Sequence, residues 1–149
     1  MDKNVYWVNE AKIKNTIKAL EENNMKGYFA KDKEELINII NDLTNEGDTV
    51  SCGGSISLFE TGVIEYLRSG RFNFLDRYEE HLTKEDIKEL YRKTFSVDAY
   101  FTSTNAITEN GELYNVDGNG NRVAAMLYGP DKVIVVAGVN KIVKILMKQ

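Results

Sequence analysis

The stretch that decides the fold is VDAYFTSTNAITENGELYNVDGNGNRVAAMLYGPDKVIVVAG, Val97–Gly138. Val97–Thr102 has the length and β-branched and aromatic content of a strand. Ala106–Val116 predicts a hairpin folded about Asn110-Gly111, a pair suited to a type I′ turn. Two glycines, Gly118 and Gly120, then open a short helix over Asn121–Leu127. Pro130 punctuates, and Lys132–Gly138 follows as an apolar run without alternation. That is the pattern of a strand covered on both faces of a parallel sheet.

Outward from this stretch, helix and strand signals alternate. Ile13, Ile17 and Leu20 recur at helical spacing between Val8 and Asn24, and Gly27–Ala30 reads as a short strand. Asp32, with Glu35 three residues on, opens a helix carrying Leu36, Ile37, Ile39, Ile40 and Leu43 on its apolar stripe. Strands are predicted at Asp48–Cys52 and Phe72–Leu75, with one helix over Ile56–Leu67 between them. Thr83, with Asp86 three residues on, caps a helix reaching about Phe95. Asn140–Lys148 has a closing helical pattern. The alternation predicts an α/β fold, a three-layer α/β/α sandwich around a mostly parallel sheet, with a small hairpin near residues 105–117.

The 149 residues fit one domain spanning 1–149. A net charge of −4 disfavours nucleic acid and anionic membranes as partners. The longest apolar run, Val133–Val139, is too short to span a bilayer, and the N-terminus lacks a signal pattern. A cytoplasmic location is expected. One histidine, His81, and one cysteine, Cys52, without a paired-carboxylate motif, provide no metal-ligand spacing, and no metal is expected. Cys52 precedes a helix start but reads as a buried strand-end thiol, and His81 as a loop residue. No cofactor is expected either. Gly118-x-Gly120-x-x-Val123 lacks the third glycine of a dinucleotide fingerprint, follows a hairpin, and has no acidic strand end roughly 20 residues on. Thr108-Glu109-Asn110-Gly111 has the letters of a short coenzyme A transferase motif, in which the glutamate is the nucleophile. It reads better as a hairpin tip with Glu109 in solvent.

In open α/β sheets ligands bind beyond the carboxyl ends of the strands. Three polar loops are expected there: Gly53-Gly54-Ser55-Ile56-Ser57, Ser103-Thr104-Asn105 and Asp117–Asn121. Glycines admit an anion to the backbone, and a guanidinium suits a carboxylate or phosphate. The candidate ligand-binding residues are Gly53, Gly54, Ser55, Ser103, Asn105, Asn115, Gly118, Gly120, Asn121 and Arg122. Glu60 and Asp117 are the candidate acid/base groups, with helix acid and turn cap as their plainer roles. Arg122 reads either as a surface salt bridge or as a clamp for the anion; on the second reading it faces the cleft, so its removal should weaken an anion and leave the fold intact.

CGGSISLFETG (Cys52–Gly62), FNFLDR (Phe72–Arg77) and the opening stretch carried on to Val143 resemble the lactate-utilisation (LUD) domain family, over about residues 5–143. The resemblance implies the superfold of ribose-5-phosphate isomerase, glucosamine-6-phosphate deaminase and the coenzyme A transferases. It implies a place in bacterial oxidation of lactate to pyruvate, beside iron–sulfur protein subunits. Longer members continue with a further strand and a cysteine-bearing tail beyond the point where this sequence ends, Gln149. Three roles follow from the resemblance. The chain is a binder of a small anionic metabolite, a noncatalytic assembly or sensing module, or a sugar-phosphate isomerase or coenzyme A transferase-like enzyme. A homodimer is expected, as small relatives of the fold commonly assemble.

Overall fold

The computed structural model describes residues 3–143. Helix α1 spans Lys3–Glu22 and α2 spans Lys33–Leu43. Strand β1 (Thr49–Cys52) leads into two short helices, α3 (Ile56–Glu60) and α4 (Val63–Leu67), and then β2 (Asn73–Leu75). Helix α5 (Lys84–Lys93) runs into a 3-10 turn, Thr94–Ser96, and β3 (Ala99–Thr102). The hairpin β4 (Ala106–Thr108) and β5 (Leu113–Tyr114) precedes α6 (Asn121–Leu127) and β6 (Lys132–Val135). A 3-10 turn, Val139–Lys141, leads to β7 (Ile142–Val143).

The main sheet has the order β2-β1-β3-β6 and every neighbouring pair is parallel. Period-2 alternation divides its side chains between two faces. Val50, Cys52, Ala99, Phe101 and Val136 pack on one face against Ile40 of α2, Leu58 of α3, and Val63, Ile64 and Leu67 of α4. Tyr100 and Val133 pack on the other against Ala125 and Met126 of α6, beside Val97. Ser51 also turns to this second side, where its hydroxyl meets that of Thr94 at 2.7 Å. Helices therefore cover both faces, as the alternation requires. Among the described residues no helix is long and apolar enough to cross a membrane.

Local signals set several elements where the sequence predicts them. Asp32 accepts the Glu35 amide at 2.8 Å. Thr83 and Asp86 form a reciprocal capping box at the start of α5. Helix α6 has the predicted bounds.

Other expectations are corrected. Gly27–Ala30 is irregular chain, because no strand among the described residues offers it a ladder; Gly27 instead packs on Ile17 of α1. The helix expected over Ile56–Leu67 is two helices. It breaks where Thr61 Oγ1 bonds the Ser57 carbonyl and Gly62 turns left-handed, φ 80°. Lys132–Val135 lies at the sheet's edge among the described residues and is half-buried or exposed, so its apolar run does not mark a central strand. The start of the closing helical pattern is a 3-10 turn and then β7, which pairs parallel with β4 in a second sheet of order β5-β4-β7. The rest of that pattern, residues 144–148, lies outside the described residues.

The hairpin exists, but its turn is not type I′. That turn needs left-handed residues at both centres, and Asn110 is not left-handed. Gly111, φ 82°, donates to the Thr108 carbonyl at 2.9 Å and completes a three-residue loop. Glu109 at the tip is half-buried, with its amide on the Val143 carbonyl.

Candidate functional site

Consecutive strands leave β1 in opposite directions, β2 on one side and β3 on the other. The chain thus reverses its progress across the sheet between β1 and β3, and a crevice opens at such a switch point. The loop Gly53–Ser55 follows β1, and Ser103–Asn105 follows β3. The third expected loop reaches this edge indirectly. Its preceding strand, β5, belongs to the small sheet, and the β4–β5 hairpin carries the chain out and back before Asp117.

Arg122 ties the second and third of these loops together. Its Nε donates to Asp117 Oδ1 at 2.7 Å, Nη1 to the Ser103 carbonyl at 3.1 Å, and Nη2 to Asn105 Oδ1 at 2.8 Å and the Val116 carbonyl at 3.3 Å. Four of the five guanidinium N–H groups thus have protein acceptors. The side chains of Arg122 and Asp117 are only 11% and 10% exposed. The second Asp117 oxygen accepts the Val123 amide at 2.7 Å. Asp117 therefore caps α6 from outside it, replacing the side-chain cap that Gly120 lacks. The expectation that the Arg122 guanidinium faces an open cleft is corrected, and the alternative of a salt bridge is the one the geometry shows. A guanidinium between two loop segments, Ser103–Asn105 and Val116–Asp117, finds carbonyl and carboxylate acceptors on both.

Gly53 closes against this network. Its amide continues the ladder to the Phe101 carbonyl at 2.9 Å. A Cβ there would come within 2.6 Å of Tyr100 Oη and 3.2 Å of Arg122 Cγ, so the close approach requires glycine. Asn105 also accepts the Val116 amide at 3.0 Å. Ser103 is 5% exposed, and its Oγ and the Oδ1 of Asn115 are buried polar atoms without a protein partner among the described residues. Asn121, at the start of α6, lines a cavity of about 10 Å³ with Cys52, Tyr91, Thr94 and Tyr100. That space holds one water at most.

The other predicted residues stand apart from the Arg122 network. Ser55 occupies the cap position of α3, yet its side chain makes no capping bond, and its amide donates to Tyr78 Oη at 3.2 Å. Gly54 is exposed, as are Gly118, Gly120 and Glu60, the last residue of α3. The sequence reading passes over Arg77, which follows β2 at the same carboxyl edge. Its Nη1 would lie 3.1 Å from a Cβ on Gly54. Its position just after Phe72–Leu75 was the available signal, by the same strand-end rule that singled out the other loops.

Burial pushes the Cys52 thiol up to about 12, against an opposing pull from the Arg77 guanidinium. Burial likewise raises the Tyr100 phenol above its usual range. Both groups are neutral at pH 7. Below pH 9, the ordinary thiol value, Cys52 is protonated in both folded and unfolded chains. Between there and about 12 only the unfolded chain ionises, so stability falls as pH rises. Urea unfolding at pH 8–11 should show the parent losing its stability margin over Cys52→Ala by up to about 1.4 kcal/mol per pH unit above 9. A margin independent of pH would mean that the thiol ionises normally in the folded chain.

A family model described as LUD domain matches residues 13–148. No curated protein and no solved structure matches the chain.

Proposed function

The chain belongs to the LUD domain family, a family associated with lactate utilisation, and on that premise we propose that it binds a small anionic metabolite at the carboxyl ends of β1 and β3. The observation that carries this reading is the switch point itself. The glycine loop of β1 meets it from one side, and Ser103 and Asn105, held by Arg122, meet it from the other. A carboxylate or a phosphate fits glycine backbone and hydroxyl donors of this kind.

The chemistry of the groups favours binding over catalysis. Acid–base work near pH 7 needs a group poised close to that pH. Cys52 and Tyr100 are pushed away from it, and Asp117 is engaged by Arg122 and the Val123 amide. The domain then serves its system as a noncatalytic metabolite-binding module rather than as an isomerase or transferase. Leu127 and Tyr128, 80% and 84% exposed, offer adjoining apolar surface for a homodimer or an iron–sulfur protein partner.

A thermal-shift screen tests the reading. Lactate, pyruvate, ribose 5-phosphate and acetyl coenzyme A are compared with sodium chloride at equal ionic strength. A ligand at a hundredfold its Kd adds about 2.7 kcal/mol of stability, several degrees of Tm. No shift with any of the four would defeat the proposal.

A further inference from the structure

We propose that Arg77, and not Arg122, is the cation that receives the ligand's oxyanion, a carboxylate or phosphate held between its guanidinium and the Gly54 amide. The inference rests on the anion-binding reading above and names the residue that carries its charge.

The surroundings of the arginines separate them. Arg122 is engaged by Asp117, and Arg68 by Asp76, with Nε to Oδ2 at 2.7 Å. Arg71 donates to the Asn41 and Thr44 carbonyls at the end of α2. Arg77 has one protein acceptor among the described residues, Tyr91 Oη, 3.0 Å from Nη2. No carboxylate of the described residues lies within ion-pair distance of it. The neighbouring acid in sequence, Asp76, is already held by Arg68 and by the Tyr78 amide.

The guanidinium is nevertheless held in place. Its carbon stands 5.4 Å from the ring centres of both Tyr78 and Tyr91. Tyr78 in turn packs edge-on against Phe59 and accepts the Ser55 amide, so the arginine and the glycine loop share one support. Arg77 is half-buried, which lessens solvation of its charge, and the thiol and phenol nearby stay neutral. An oriented guanidinium with four N–H groups free of protein acceptors is a receptor for an oxyanion. Gly54 is exposed beside it, and its amide has no protein acceptor among the described residues. Ligand approach to the Arg77 guanidinium is open at this corner, whereas the Arg122 guanidinium is occupied by protein acceptors.

Amide-resolved NMR titration tests the assignment. Sodium pyruvate, sodium lactate and sodium phosphate are each added at constant ionic strength to the parent, Arg77→Ala and Gly54→Ala. In the parent, the Gly54 and Ser55 amides should shift saturably with at least one probe. Whichever probe binds tighter identifies the oxyanion as carboxylate or phosphate. Arg77→Ala should weaken that Kd at least tenfold. Gly54→Ala places a methyl 3.1 Å from Nη1 and meets only the far end of a side chain, not backbone, so it should also weaken binding while the spectrum stays folded. That variant decides the matter if Arg77→Ala fails to fold. Saturable shifts at Ser103–Asn105 or Asn121–Val123 that survive both substitutions would overturn the role of Arg77 and leave the anion-binding reading standing. No saturable shift anywhere would overturn both.

Discussion

Arg122→Ala should lower the unfolding free energy by about 3–5 kcal/mol, the cost of removing one partner of a buried ion pair. The substitution leaves the Asp117 carboxylate, in a side chain 10% exposed, without its counter-charge. It also releases the Ser103 and Val116 carbonyls and Asn105 Oδ1 from their shared donor. For a domain of this size the loss corresponds to roughly 10 °C or more in Tm. Removing both charges in Asp117→Ala/Arg122→Ala should recover part of the loss, because no uncompensated charge then remains buried. Recovery should be incomplete, because the Val123 amide also loses its cap. Urea denaturation of the parent, both single variants and the double variant closes the cycle. Unfolding of Arg122→Ala at the parent's midpoint would show that the network contributes nothing to the fold.

A second large loss is expected at the hairpin tip. Gly111→Ala should cost about 2–5 kcal/mol, combining left-handed backbone strain with overpacking. At φ 82° the new Cβ would stand 2.6 Å from the backbone carbon and oxygen of Ala19 and 2.8 Å from the Leu20 nitrogen. Those atoms belong to α1 and cannot swing aside as a side chain would. The tip is also held by Asn23 Nδ2, which donates to the Asn110 and Gly111 carbonyls at 3.1 and 3.0 Å. Gly47→Ala is the control. It has nearly the same φ, 86°, but no atom of the described residues within 4 Å of the added carbon, so it should pay only the backbone strain, about 1–2 kcal/mol. Equal losses at the two positions would mean that the hairpin does not dock on α1 in solution.

The residues that were read correctly from sequence act over short distances. The Thr83–Asp86 box and the Asp32 cap span three residues each, and their hydrogen bonds form wherever the chain enters a helix. Helix α6 is delimited by Gly120 before it and the Gly129-Pro130 break after it. The parallel sheet follows from strand–helix alternation, because a strand that returns through a helix re-enters in the same direction.

Partner choice across the chain was decided elsewhere. Gly27–Ala30 has the residues of a strand, but a strand needs a ladder, and the described residues supply none there. Ile142–Val143 has a helical pattern, but β4, some 35 residues earlier, pairs with it. The two arginines show the same division within the site. In sequence Arg122 reads either as a salt bridge or as a ligand clamp, because a lone cation near glycines suits an anion. Folding brought Ser103, Asn105, Val116 and Asp117 around it and satisfied most of its donors internally. Arg77 drew no notice in sequence, and folding set it against Gly54, 23 residues away, with no carboxylate of the described residues within ion-pair distance. Local sterics and caps fix what a segment becomes. Whether a charge meets a protein partner or is left for a ligand depends on which distant segments share its corner of the sheet.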